Sequence, residues 1–166
     1  MNKMKFKDKE FNVLKLLGKG KGGYSYLVED GDHNLFVLKK IHHEPCSYYS
    51  FPEDKLSLEL NDYKRLSSIG INIPKLIDFD KDEDELLKEY IDGPTIESLV
   101  KNGNMKDIYI KQVQEMAELL KKNNLNIDYY PTNFIVKNDL IYYIDFECNE
   151  YHEEWSFEVW GKQYWK

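Results

Sequence analysis

Two short apolar runs near the C-terminus constrain the fold of this chain more than any other feature. Residues 134–136 read F-I-V and residues 140–144 read L-I-Y-Y-I, with the turn pair Asn138-Asp139 between them. Two β-prone runs on either side of such a pair predict a tight hairpin. Because the two ends of a hairpin are adjacent, the residues that flank it are expected to lie close together.

Three polar residues flank this predicted hairpin: Asp128 and Asn133 precede it, and Asp145 follows it. Two carboxylates and an amide are hard oxygen ligands suited to Mg²⁺, and a phosphoryl-transfer site needs such ligands beside the attacking hydroxyl. Asp and Asn also favour turns because of local hydrogen bonding, so ordinary turn residues are the alternative interpretation. The hairpin favours a site, because it returns Asp145 to Asn133.

Composition limits the classes of protein to which the chain can belong. Its 166 residues, 42% hydrophobic and 14% aromatic, suit one compact unit with its own core. The net charge of −7 argues against binding to nucleic acid, which requires clustered Lys and Arg. Two distant cysteines, Cys46 and Cys148, form neither a disulfide framework nor a metal pair. Without a bilayer-length apolar run or a signal peptide, we expect a cytoplasmic protein that does not bind membranes.

A glycine-rich segment near the N-terminus places Gly18, Gly20 and Gly23 in the GxGxxG spacing found in nucleotide-binding loops. The next residues, 24–28, are aromatic and β-prone, and a turn and a second strand follow. This context predicts that the glycines lie at the bend of an antiparallel hairpin, and not at the start of a Rossmann helix. Backbone N–H groups can approach phosphate oxygens where side chains are absent, and a plain glycine-rich hairpin is the alternative.

The predicted strand F-V-L-K-K-I places Lys39 on the same face as Val37 and places Leu38 on the other face. A lysine among apolar strand residues requires a partner. Lys40 points the opposite way and is expected to be solvated.

Two amphipathic helices are predicted from apolar spacing. In the first, apolar residues recur at 56, 60, 63 and 66, and Glu59 beside this stripe is the acid best placed to pair with Lys39. Glu53 and Asp62 are the alternatives for that ion pair. The second helix covers residues 105–122, with apolar positions at 108, 113, 116, 117, 119 and 120.

In this order, the segments resemble the protein-kinase-like superfamily over about residues 17–147. The motifs that carry the resemblance are G-K-G-K-G-G, V-L-K, E-L-N-D-Y, L-L-K-E-Y-I-D-G, I-D-Y-Y-P-T-N and I-D-F-E. The resemblance implies one domain, 1–166, with an α+β, bilobal, kinase-like fold. An antiparallel-sheet N-lobe would cover about 1–90, a hinge about 88–93, and a truncated, mainly helical C-lobe about 94–166.

The resemblance also implies ATP and Mg²⁺ as cofactors. Lys39 would hold the α and β phosphates while Glu59 tethers it, and the three glycines, Gly18, Gly20 and Gly23, would cover them. In the segment K-E-Y-I, the backbone of Glu89 and Ile91 would pair with adenine.

The remaining implied roles are catalytic. Asp145 and Asn133 would bind the metal, and Asp128 would orient and deprotonate the hydroxyl of the acceptor. With Lys39, these residues make up the implied catalytic set.

Departures from eukaryotic protein kinases bear on the acceptor. Asn126 and Ile127 replace His-Arg before the catalytic Asp, Tyr130 stands in place of lysine, and Glu147 replaces the glycine of D-F-G. With Glu147, the motif I-D-F-E resembles aminoglycoside and choline phosphotransferases, and the short C-lobe resembles RIO and Bud-type kinases. We expect transfer of the γ-phosphate of ATP to a hydroxyl acceptor, a protein Ser/Thr. The alternatives are a small-molecule kinase, and a pseudokinase or ATPase subunit within a complex.

The C-terminal tail is rich in aromatic residues, at positions 155, 157, 160, 164 and 165. We expect this segment to cap the truncated C-lobe, since aromatic side chains usually fill a core. An acceptor surface or an aromatic cage for a cation is the alternative. If the tail does not cap the lobe, a homodimer or another protein partner is expected to cover it.

Overall fold

The computed structural model describes residues 2–19, 23–41 and 54–166. By contact clustering, the chain divides into two compact units. The first contains Met1–Leu60 and Lys75–Tyr90, and the second contains Asn61–Pro74 and Ile91–Lys166. Residues 61–74, which the sequence assigned to the N-lobe, therefore group with the second unit. Strands predominate in the first unit and helices with short strand pairs in the second, so the α+β class is confirmed.

The first unit is built on six strands: β1 (Lys3–Phe6), β2 (Lys9–Lys19), β3 (Gly23–Glu29), β4 (Leu35–Ile41), β5 (Leu76–Asp80) and β6 (Glu85–Glu89). They form one sheet in the order β1-β2-β3-β4-β6-β5. Every neighbouring pair is antiparallel, as predicted for this part of the chain. Its buried core consists of Phe6, Phe11, Val28, Leu38 and Leu87.

Helix α1 (Lys55–Ser68) follows in the chain and confirms the first predicted helix. Asp54 caps its start, because a carboxylate oxygen of Asp54 accepts the N–H of Leu56 at 3.0 Å. The helix ends before Gly70, whose φ of +87° suits a residue without a Cβ. Leu56 and Leu66 are fully buried, as the spacing of apolar residues predicted.

The second unit contains the end of α1, the helices α2 (Ile96–Lys101) and α3 (Asp107–Lys122), and two strand pairs. β7 (Leu125–Asn126) pairs with β10 (Asn149–Glu150), and β8 (Phe134–Lys137) pairs with β9 (Leu140–Tyr143), both antiparallel. Short 3₁₀ segments cover Pro131–Asn133, Glu153–Trp155 and Gly161–Tyr164. Within the described ranges, no helix combines the length and apolarity that crossing a bilayer requires.

The buried face of α3 differs from the predicted one at its start. Tyr109, Val113, Met116 and Leu120 are buried, whereas Ile108 is 45% exposed. The prediction for Ile108 is therefore wrong. The helix begins at Asp107, and its phase places Tyr109 one turn before Val113 on the core side.

The predicted hairpin is confirmed by the pairing of β8 with β9. Its turn residues Asn138 and Asp139 have φ of 53° and 61°, the left-handed conformation that a two-residue turn of this kind requires. In this register Phe134 lies opposite Tyr143, and both side chains are fully buried.

The C-terminal tail packs into the core of the second unit, as expected for a cap. Phe157 and Trp165 are fully buried, and Nε1 of Trp165 donates to the carbonyl oxygen of Tyr129 at 2.8 Å. The tail also has exposed apolar side chains, with Trp155 54% and Val159 59% exposed. The tail therefore completes a core and leaves part of its apolar surface in contact with solvent.

Substituting Gly23 tests the close approach of the β3 backbone to β4 at this position. Gly23 has a φ of +149°, and an added Cβ would lie 2.1 Å from the carbonyl oxygen of Lys40. We expect Gly23→Ala to lower the free energy of unfolding by about 2–3 kcal/mol, measured by urea denaturation. Gly18→Ala is the control, because no atom lies within 4 Å of a Cβ there, and should change it by about 0.5 kcal/mol at most. Equal effects would contradict this assignment.

Two tryptophans of the tail provide a matched pair for the packing of the second unit. Trp165→Ala should lower the free energy of unfolding by about 3–5 kcal/mol, because a large buried ring is removed. Trp155→Ala should lower it by less than about 1 kcal/mol, because that ring is largely exposed. Urea denaturation of both variants tests this, and a Trp165→Ala variant as stable as Trp155→Ala would show that the tail does not complete the core.

Candidate functional site

The first unit contains a nearly buried ion pair between β4 and α1. Nζ of Lys39 lies 2.6 Å from Oε1 of Glu59, and the two side chains are 13% and 12% exposed. The predicted pairing is therefore confirmed. Of the two alternative acids, Asp62 pairs instead with Arg65 at 2.5 Å, and Glu53 lies outside the described residues.

Because the pair is nearly buried, solvent and salt screen the attraction between the two charges only weakly. The second carboxylate oxygen of Glu59, Oε2, is buried and accepts no hydrogen bond from any described residue. Lys39 thus has a fixed ammonium position at the end of a central strand. An ammonium held in this way can bind an anionic ligand without first losing much side-chain freedom.

Lys40 is partly exposed, as expected of a surface lysine, but it also has an acid partner that was not predicted. Its Nζ lies 3.2 Å from Oε2 of Glu85, which is buried. Burial raises the pKa of the Glu85 carboxyl, although Lys40 acts in the opposite direction. The two adjacent lysines therefore have separate acid partners.

The glycines of the predicted loop have different structural roles. Gly18 lies near the end of β2 and Gly23 begins β3, two antiparallel neighbours as predicted, and Gly20 lies outside the described residues. Gly23 is required by its close approach to β4, whereas packing places no such demand on Gly18. Gly18 also follows an irregularity in the β2–β3 pairing. It is therefore the described glycine whose missing side chain could serve a ligand.

The segment predicted to contact adenine ends β6. The N–H of Glu89 donates to the carbonyl oxygen of Lys75 at 2.8 Å, so this N–H already has a backbone partner. Ile91 begins the segment Ile91–Lys166 of the second unit, and its side chain is buried. Gly93 packs against β8, since a Cβ there would lie 2.0 Å from the carbonyl oxygen of Val136.

In the second unit, Asp128 is exposed on the loop after β7. Its Oδ1 accepts the N–H of Tyr130 at 3.1 Å, and its carbonyl oxygen accepts from Nδ2 of Asn133 at 3.3 Å. Oδ2 accepts no hydrogen bond from the described part of the chain. Asp128 therefore presents one carboxylate oxygen in a fixed orientation, as a base that takes a proton from a hydroxyl requires.

Asn133 and Asp145 are brought together by the hairpin, as the sequence predicted. The N–H of Ile144 donates to the carbonyl oxygen of Asn133 at 2.9 Å. Oδ1 of Asp145 accepts the N–H groups of Phe146 at 2.7 Å and of Glu147 at 3.2 Å. Two side-chain oxygens, Oδ1 of Asn133 and Oδ2 of Asp145, have no hydrogen-bond partner among the described residues.

The type and number of these two oxygens indicate which kind of metal ion they would suit. Among residues 2–19, 23–41 and 54–166, no group of three or more His, Cys, Asp or Glu side chains is arranged to hold a metal ion. Mg²⁺ usually takes one or two protein ligands and completes its octahedron with phosphate oxygens and water. By their type and number, the oxygens of Asn133 and Asp145 would suit Mg²⁺ carried with a phosphate ligand.

A buried tyrosine lies among these polar groups. Tyr143 is fully buried, and its hydroxyl donates to the carbonyl oxygen of Glu147 at 2.7 Å. Burial and the nearby charge of Asp145 raise its pKa well above the ordinary value. The pKa of Glu147 is also raised, first by burial of the carboxyl and then by the charges of Asp145 and Asp128. The sequence analysis missed Tyr143, since strand alternation indicates its burial and not what its hydroxyl contacts.

The thiol of Cys148 lies next to Glu147 in the chain and is buried. Cys148 is buried, and burial together with the nearby charge of Asp62 raises its pKa to about 12, against the influence of Arg65. A thiol with this pKa is protonated at neutral pH, and the thiolate is the reactive species. Burial therefore disfavours a nucleophilic role for Cys148.

Aromatic side chains form a row that begins next to Asp128. Ring centroids are 5.2 Å apart between Tyr130 and Tyr164, 5.3 Å between Tyr164 and Trp160, and 5.7 Å between Trp160 and Trp155. Three of these four rings are more than a third exposed. A homodimer or another protein partner stays a prediction, and this row is an exposed apolar surface on which such a partner is expected.

Neither a protein-family model nor a curated protein matches this sequence. The functional interpretation therefore depends on the residues and contacts of the chain itself.

A double-mutant cycle tests the buried ion pair. We expect Lys39→Met and Glu59→Gln to show a coupling energy of about 1–3 kcal/mol in urea denaturation, because either change alone leaves a nearly buried charge without its partner. The pair Lys162–Glu158, 41% and 58% exposed, is the control and should show about 0.5 kcal/mol or less. Equal coupling in the two pairs would show that burial does not strengthen the Lys39–Glu59 interaction.

Proposed function

We propose that this chain is an ATP- and magnesium-dependent phosphotransferase that moves the γ-phosphate of ATP to a hydroxyl group of a protein serine or threonine. One observation carries the proposal. Asp128, Asn133 and Asp145 lie on two loops that share hydrogen bonds through Asn133, and each side chain keeps one oxygen without a described partner. A base and two hard metal ligands in this order are the groups that phosphoryl transfer uses.

Asn133 and Asp145 are the proposed metal ligands, through Oδ1 and Oδ2. Mg²⁺, when bound with ATP, neutralises charge on the phosphate oxygens. Both side chains are oriented beforehand by hydrogen bonds to the backbone, so binding requires little further ordering. This prior orientation supports the assignment.

Asp128 is the proposed base. Its carboxylate would accept the proton of the acceptor hydroxyl while the N–H of Tyr130 holds it in orientation. Asp128 is exposed, which supports an acceptor that remains part of a larger protein.

Lys39 and Glu59 are the proposed phosphate-binding pair of the first unit. The ammonium of Lys39 would bind the α and β phosphates, and Glu59 would hold it in position at 2.6 Å. The glycines at 18, 20 and 23 would allow backbone N–H groups to approach the phosphates. The carbonyl of Glu89 and the backbone of Ile91 would contact adenine.

A kinase of small cationic molecules is the second candidate. It is favoured by the exposed aromatic row, which begins at Tyr130, two residues after Asp128. Aromatic faces attract ammonium groups, so an acceptor with a quaternary amine or several amines would fit this surface. Parallel assays with a mixed protein acceptor, choline and an aminoglycoside distinguish the two candidates.

Two aspartate variants test the proposed function. Asp145→Ala should abolish the magnesium-dependent part of ATP binding in calorimetry, because a metal ligand is lost. Asp128→Asn should bind MgATP as the unaltered protein does, and should transfer phosphate about 10²–10⁴-fold more slowly in a γ-labelled ATP assay. Glu118→Gln, an exposed acid on α3, removes one charge elsewhere and should change neither quantity.

Two results would overturn these assignments. If the unaltered protein binds no MgATP from micromolar to millimolar concentration, the chain alone is not an active kinase. If it binds MgATP and Asp128→Asn leaves transfer unchanged, Asp128 is not the base, and a nucleotide-binding subunit becomes the better interpretation.

A further inference from the structure

The aromatic row is a contiguous apolar surface of the second unit. Tyr130 and Tyr164 are each 38% exposed, and Trp155 is 54% exposed. Among the described residues, no lysine or arginine lies over any of the four rings of the row. Since aromatic faces attract cations, the row presents ring faces that no cation of the described chain occupies.

Acidic side chains lie next to both ends of the row. Asp128 comes two residues before Tyr130, and Glu153 and Glu154 come directly before Trp155. All three acids are exposed. Neither Glu153 nor Glu154 has a hydrogen bond or an ion pair within the described part of the chain. Their charges are therefore available to a partner.

The row also has a lysine beside it, but the positive charge of that lysine is paired. Lys162 lies between Trp160 and Tyr164 in the chain, and its Nζ lies 3.1 Å from Oε2 of Glu158. This lysine therefore does not neutralise the two free glutamates beside Trp155.

We propose that the aromatic row is a docking surface for a Lys- and Arg-rich segment of the acceptor protein, and that docking brings a serine or threonine of this segment to Asp128. This inference rests on the proposed function and deepens it, because it names the class of acceptor. Ammonium and guanidinium groups of the segment would lie over the rings, and Glu153 and Glu154 would attract them.

The shape of the row favours an extended peptide over a single small cation. Neighbouring rings are 5.2, 5.3 and 5.7 Å apart, and rings that are not neighbours in the row make no contact with each other. The four rings therefore do not close around one point, as a cage for one ammonium group requires. Their path has room for no more than about five residues of extended chain. A short segment with several cations matches this length.

Charge disfavours a second copy of this chain as the partner. The chain has a net charge of −7, and a two-fold dimer through the row would bring the same acidic surface to both sides. Like charges that face each other across an interface destabilise it. A basic segment meets no such repulsion.

The row is held in place by hydrogen bonds to the backbone. Nδ2 of Asn126, a buried residue, donates to the carbonyl oxygen of Trp155 at 2.9 Å. The N–H of Trp160 donates to the carbonyl oxygen of Ser156, also at 2.9 Å. A surface that is ordered before binding loses less conformational freedom when its partner binds. This order favours a docking role for the row.

The first measurement is peptide binding, followed by NMR of the indole N–H groups, and it requires no nucleotide. The probe is a synthetic peptide with one serine among lysine and arginine residues, and its control has glutamine at every basic position. We expect the basic peptide to bind at least about tenfold more tightly. The signals of Trp155 and Trp160 should move, whereas that of Trp165 should not, because its Nε1 is bonded to Tyr129 in the core.

Variants of the row and of its acids test both parts of the surface. Trp155→Ala should weaken binding of the basic peptide about fivefold or more, because an exposed ring is lost. Glu153→Gln together with Glu154→Gln should weaken it about threefold or more at low salt. The control is Asp82→Asn together with Glu83→Gln, an adjacent pair of exposed acids in the first unit, which should leave binding within about twofold.

Four results would overturn the docking surface. They are equal binding of the two peptides, binding of the basic peptide without movement of the Trp155 and Trp160 signals, and choline bound at the row as tightly as the basic peptide. The fourth is a dimer in sedimentation that Trp155→Ala dissociates, which would show that a second copy covers the row. An unchanged Trp165 signal confirms that each variant is folded.

The second measurement links docking to phosphate transfer. With MgATP, the unaltered protein should phosphorylate the basic peptide with a kcat/KM at least about tenfold above that of the glutamine peptide, and Trp155→Ala should remove most of this preference. Transfer without a preference for the basic peptide would overturn the inference and leave the proposed function standing. Peptide binding at the row without MgATP binding or transfer would overturn the proposed function and the role of the row in choosing an acceptor.

Discussion

The antiparallel pairing of β8 with β9 is the constraint on which the candidate site depends. Phe134 lies opposite Tyr143, and the next backbone hydrogen bond joins Ile144 to Asn133. A slip of one residue in this register would turn Tyr143 from the core to the other face and would move Asp145 away from Asn133. The left-handed turn at residues 138–139 and the buried rings hold the register in place.

Three acidic residues, Asp128, Asp145 and Glu147, lie close enough for their charges to interact. Burial of the carboxyl raises the pKa of Glu147, and the nearby charges of Asp145 and Asp128 raise it further. Backbone N–H groups donate to one carboxylate oxygen of Asp128 and to one of Asp145. A divalent cation at Asn133 and Asp145 would offset the negative charge near Glu147, which agrees with the proposed function.

Most of the local elements and one long-range ion pair could be predicted from the sequence. The hairpin, both amphipathic helices, the antiparallel pairing of β2 with β3 and the pairing of Lys39 with Glu59 were predicted and are present. The apolar positions predicted for α3 included Ile108, which is exposed, and omitted Tyr109, which is buried. The pattern of apolar residues leaves the phase of the first turn open. Lys40 was expected to be solvated, because nothing near it in the sequence indicates Glu85.

The sequence by itself determined the features that neighbouring residues encode: where strands and helices form, which faces are apolar, and which polar residues flank the hairpin. Apolar periodicity and turn propensity act over a few residues, so they can be read locally. Only the tertiary structure decided that Lys40 meets Glu85, how the tail fills the core with Trp165, and that the hydroxyl of Tyr143 donates to the carbonyl oxygen of Glu147. These contacts depend on how segments that are far apart in the sequence pack together, and local sequence patterns carry no information about that packing.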